Sequence, residues 1–71
     1  MDIKLVFGTR LKHMRLKKKL TQLQLAERSG IERTFISHIE AGHRNVSIDT
    51  MEKLFEGLEV SFKQFFSRDF S

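Results

Sequence analysis

The sequence predicts an all-α domain of five short helices, and three observations carry that expectation. With 71 residues the chain is too short to divide into two units that each bury a core, so residues 1–71 should form one domain. It has no proline and four glycines, which leaves little material for turns. Its apolar residues recur at helical spacing, interrupted by residues that cap and stop helices.

On a wheel of about 100° per residue, Ile3, Phe7, Leu11 and Met14 fall on one narrow stripe. This predicts an amphipathic first helix running to about Lys18. A second helix starts at Thr21, whose hydroxyl can accept from a first-turn amide. It turns Leu25 and Ala26 inward and stops at Ser29-Gly30, where glycine tolerates a left-handed cap. A third helix runs from about Arg33 to Ala41 and is closed by Gly42. Its Phe35, Ile36 and Ile39 face the core, with Arg33, Thr34, Ser37 and His38 on the opposite side. After a polar loop, His43-Arg44-Asn45, Ser47 caps a fourth helix lined by Ile48, Met51, Leu54, Phe55 and Leu58; Asp49 in its first turn complements the helix dipole. Ser61-x-x-Gln64 has capping-box spacing and opens a short fifth helix over about residues 61–70. Four of the seven phenylalanines, Phe62, Phe65, Phe66 and Phe70, crowd that last segment.

Thirteen Lys/Arg against nine Asp/Glu give a net charge of +4 and a pI near 9.9. The excess is uneven. Residues 1–46 hold ten basic and four acidic residues, a balance of +6, whereas residues 47–71 hold three and five, a balance of −2. An anionic partner therefore meets the first two-thirds of the chain. The absence of cysteine excludes disulfides and thiolate metal sites and fits a cytoplasmic protein. His13, His38 and His43 lack paired metal spacing, so no metal or other cofactor is expected. No nucleophile–base pair or glycine-rich phosphate loop appears, which argues against an enzyme and a small-molecule ligand. No apolar run approaches the roughly 18 residues of a membrane span.

Two short helices joined by the tight turn Gly30-Ile31-Glu32 make a helix-turn-helix. A major groove about 12 Å wide admits one helix, which the preceding helix must hold proud of the body. Arg33, Thr34, Ser37 and His38 suit that groove: arginine can donate twice to guanine, and threonine can offer its methyl to thymine. Gln22 at the start of the second helix and Arg44-Asn45 beyond the third lie where phosphates would flank the groove.

The segments Thr21-Gln22-Leu23-Gln24-Leu25-Ala26, Ser29-Gly30-Ile31 and Ile36-Ser37-x-Ile39-Glu40-x-Gly42 resemble the phage Cro and repressor (XRE-type) helix-turn-helix family over about residues 5–62. More narrowly, Arg33-Thr34-Phe35-Ile36-Ser37, Arg44-Asn45-x-Ser47 and Leu58-Glu59-Val60-Ser61 are similar to restriction–modification controller proteins. The resemblance implies a lambda-repressor-like domain that regulates transcription as a homodimer on a near-palindromic double-stranded operator. It places base reading on Arg33, Thr34, Ser37 and His38, and phosphate binding on Gln22, Arg44, Asn45 and His43. It also implies a structural ion pair between Arg15 and Glu40, which both wheels put at the edge of the core. Three departures stand out: Glu32 where a short capping residue is common, Phe35 for a frequent tyrosine, and Leu23 at a usually acidic position.

Arg10 and Lys12 are expected to add general electrostatics, and Lys17-Lys18-Lys19 to form a solvated helix end. Phe62 and Phe65 are expected to complete the subunit's core. The dimer is expected to form through the fifth helix, with Phe62, Phe65, Phe66, Leu58 and Val60 at its interface. Control should then follow from concentration, operator spacing and contact with RNA polymerase. The alternatives are a phage or plasmid repressor of the same fold and an antitoxin-like protein-interaction module. An RNA binder is disfavoured because the aromatics lie away from the basic half.

Overall fold

In the computed structural model, which describes residues 1–67, five helices follow one another: α1 (Ile3–Lys17), α2 (Gln22–Ser29), α3 (Arg33–Glu40), α4 (Ile48–Leu58) and α5 (Phe62–Phe65). Their boundaries are set by side chains that satisfy the free amides of each first turn. Asp2 accepts from the amides of Lys4 and Leu5 at 3.1 and 3.3 Å. Thr21 accepts from the Gln24 amide at 3.0 Å while the Gln24 side chain accepts from the Thr21 amide at 2.8 Å, a reciprocal capping box. Ser61 and Gln64 repeat that arrangement at 3.0 and 2.8 Å. Ser47 accepts from the Thr50 amide at 3.1 Å. The start of α3 differs, because Glu32 makes no side-chain capping bond.

α1 packs on α3, α2 on α3 and α4, and α4 on α5. The core they enclose contains Phe7, Leu11, Met14, Leu20, Leu25, Ile36, Ile39, Leu54, Phe55, Leu58 and Phe65. Gly8 is what lets α1 approach α3: a Cβ there would lie 2.0 Å from the Ile39 carbonyl oxygen. Two residues expected on apolar stripes are outside the core, Ile3 at 66% and Ile48 at 72% exposure. Each is the first residue of its helix, and side chains lean toward a helix N-terminus, so both project past the packed body.

The C-terminal end corrects the expected roles of several residues. Among the described residues α5 is a single turn, and Phe70 lies outside them. Phe65 is fully buried, stacked on Phe55 at 4.3 Å between ring centroids and 5.1 Å from Phe7. Leu58 is likewise buried within its own subunit. Neither has area left for the interface expected of it. Phe62, expected in the core, packs edge-on against Phe55 yet remains 42% exposed. Val60 is half-buried against the core, and Phe66 is 57% exposed.

Arg10 is also corrected, from a surface charge to a buried strap. Its Nε donates to the Phe65 carbonyl at 2.5 Å, and its Nη2 donates to the carbonyls of Gln64 and Ser67 at 3.2 and 3.1 Å. The guanidinium also lies 5.7 Å from the Phe65 ring centroid, within range of a cation–π contact. Burial pushes its pKa down from the ordinary arginine value. One arginine thus ties α1 to α5.

Arg15 and Glu40 form the expected ion pair. Arg15 Nε and Nη2 donate to the two Glu40 oxygens at 2.7 and 3.0 Å, and Nη1 donates to the Leu20 carbonyl at 2.8 Å. The two side chains are 8% and 4% exposed, so each charge depends on the other for solvation. Arg15→Met is expected to cost about 3–5 kcal/mol in urea unfolding by stranding the carboxylate, and adding Glu40→Leu to recover most of that loss. Phe65→Ala is expected to cost about 3–5 kcal/mol in the same assay, against about 1 kcal/mol or less for Phe66→Ala.

Candidate nucleic-acid interface

The turn between α2 and α3 is made by local chemistry. Gly30 takes the left-handed conformation at φ 74°, open to glycine at little cost, and its amide closes α2 on the Ala26 carbonyl. The Ser29 hydroxyl then accepts from the Ile31 amide at 3.2 Å, which turns the chain toward α3. The N-terminal amides of α3 follow without a side-chain cap.

α3 is two-faced. Ile36 and Ile39 are wholly buried, and Phe35 packs half-buried against the core, as its spacing requires. On the other side Arg33 and Thr34 are exposed at the first turn, while Ser37 and His38 are half-buried farther along. No other described segment covers Arg33 or Thr34, so a guanidinium and a threonine methyl stand free at the helix N-terminus, beside its unpaired amides. Beyond α3 the chain folds back when the His43 amide bonds to the His38 carbonyl at 2.9 Å. This presents His43, Arg44 and Asn45 as exposed loop residues.

Gln22 is placed differently from the other expected phosphate ligands. It is half-buried at the first position of α2, and its Nε2 donates to Glu40 Oε1 at 3.1 Å. The carboxylate that ends α3 therefore bonds side chains of α1 and α2 together. Spacing along the chain gave no sign of this bond, since its partners are 18 residues apart.

Charge follows the same division. Lys17, Lys18, Lys19, Arg28, Arg33 and Arg44 are exposed on the basic two-thirds of the chain, whereas Asp49, Glu52 and Glu56 are exposed along α4. Leu23, apolar on the outer side of α2, is 55% exposed. Among the described residues no group of acidic or histidine side chains could hold a metal ion, and no helix is long and apolar enough to cross a membrane.

A model of the helix-turn-helix family matches residues 11–65. The chain is 42% identical over 67 residues to control protein C.MunI of Mycoplasma sp., covering 93% of this chain and 90% of that one. Its structure is similar to that of the restriction–modification controller protein C.AhdI from Aeromonas hydrophila, with TM-score 0.87 and 35% identity over 93% of this chain and all (100%) of the other. It is also similar to the controller protein C.Esp1396I, solved as a tetramer in complex with its natural 35 base-pair operator. There the TM-score is 0.85 and the identity 41%, over 89% of this chain and 83% of that one. The two-faced α3 and its exposed polar end thus sit in a chain that belongs to the helix-turn-helix family of XRE type, among the control proteins of restriction–modification systems.

Proposed function

We propose that this protein regulates transcription by binding, as a homodimer, a near-palindromic double-stranded DNA operator that controls a restriction–modification system. The observation that carries this is the division of α3, whose apolar side is sealed in the core while Arg33 and Thr34 stand clear of the body. A core helix has no use for a free arginine at its end, and a groove-reading helix does. In this reading Arg33 donates twice to a guanine edge, Thr34 offers its methyl to thymine, and Ser37 and His38 read farther along the groove. Arg44, Asn45 and His43 hold phosphates on one flank, and the N-terminal amides of α2 at Gln22 hold them on the other.

The relative C.Esp1396I was solved as a tetramer with its operator, which supports an assembly of copies here as well. The exposed faces of Phe62 and Phe66, with the edge of Val60, offer apolar area for a two-fold contact at the α5 end. Two recognition helices about 34–36 Å apart would then enter successive major grooves. Regulation of this kind acts in the cytoplasm, with contact to RNA polymerase deciding the sign of control.

Selection of bound duplexes from a random pool tests the reading; it is expected to recover an inverted repeat, and a pool without symmetry or preference counts against it. Arg33→Ala is expected to relax preference at one position per half-site, at about 1–3 kcal/mol, while Arg44→Ala weakens all sequences alike and lowers the salt slope by about 0.9. Sedimentation of Phe66→Asp is expected to give a monomer at concentrations where the parent chain is a dimer.

A further inference from the structure

We propose that Gln22 is a positioning residue for base reading, acting through Glu40 rather than by a phosphate contact of its own side chain. The inference rests on the DNA-binding reading above and deepens it.

α3 is held at its far end. At its start Glu32 forms no capping bond, so the first-turn amides are unrestrained and only the apolar side of that turn, Phe35 and Ile36, is seated in the core. At its end three restraints meet: Gly8 packs α1 against the Ile39 carbonyl, Arg15 grips both Glu40 oxygens, and Gln22 donates to Oε1 of the same carboxylate. Gly8 and Arg15 join α3 to α1 only. Gln22 adds α2, and it is the relation of α2 to α3 that aims a helix-turn-helix.

The lever is long enough to matter. Arg33 lies three residues, about 4.5 Å of axis, beyond the buried Ile36, so a tilt of about 10° about that seat moves its backbone by about 0.8 Å and its guanidinium by more. A bidentate contact tolerates about 0.5 Å. A bond remote from the groove therefore decides whether Arg33 meets a base edge squarely. One of the two N–H groups of the Gln22 amide is committed to this bond, and the side chain is half-buried in making it.

Two variants, Gln22→Met and Gln22→Lys, test the role by DNA binding and by amide hydrogen exchange of the free protein. Gln22→Met removes the donor at similar volume. It is expected to lower the ratio of operator to random-duplex affinity about tenfold, leave random-duplex affinity within about twofold, and speed exchange in α3 relative to α1. Gln22→Lys keeps a donor toward Glu40 and is expected to retain most of the ratio. Equal losses on operator and random duplex in Gln22→Met would mean a phosphate contact only, and would overturn the proposal. So would unchanged exchange in α3. Should Gln22→Met fail to fold, a lost ratio in Gln22→Lys overturns it instead. A parent chain without operator preference defeats the DNA-binding reading itself, and the exchange of the free variants then still decides whether Gln22 holds α3.

Discussion

The placing of α3, and with it of Arg33 and Thr34, depends on how the Glu40 carboxylate is satisfied. It is nearly dry, and an unpaired carboxylate in that position would cost several kcal/mol, a large part of the stability of so small a domain. The fold meets that demand by converging Arg15 from α1 and Gln22 from α2 on the last residue of α3. The electrostatic requirement and the geometric one coincide: the side chains that satisfy the carboxylate also tie the end of α3 to α1 and α2. A replacement by packed apolar residues could match the stability. It would lack the directional bonds that set the angle of a helix only two turns long.

Around this junction α1 and α5 are joined by a second arginine. Arg10 spans from α1 to the carbonyls that end α5, and so anchors Phe65 over Phe55 and Phe7. The two arginines divide the work along α1. Arg10 secures the aromatic end, where Phe62 and Phe66 remain exposed, and Arg15 secures the polar end, where Arg33 and Thr34 stand free. The exposed lysines nearby then attract any polyanion without discriminating among sequences.

The local features were legible in the sequence because their causes are local. The Thr21 cap, the Gly30 turn, the two faces of α3 and the Ser61–Gln64 box each follow from residues within one turn of each other. The Arg15–Glu40 pair was legible through family resemblance and the two helix wheels. The long-range choices were not. Arg10 could not be assigned, because the carbonyls it binds lie far along the chain, 55 residues away for Phe65. Phe65 and Phe66 are adjacent, and periodicity over a single-turn helix does not say which ring enters the core; the stack on Phe55 decides that. Position alone places Gln22 at a phosphate but gives no sign of its bond to Glu40, 18 residues away. Ile3 and Ile48 show that a helical stripe overstates the core at a helix's first residue.

The central claim is that Arg33, carried on a helix anchored at Glu40, touches the edge of a base. It is tested most directly by replacing each guanine of a selected operator with 7-deazaguanine, which removes the N7 acceptor and leaves pairing intact. The account predicts one sensitive guanine in each half-site, with that sensitivity abolished in Arg33→Ala. Sensitivity at no guanine, or sensitivity that persists in Arg33→Ala, would contradict it.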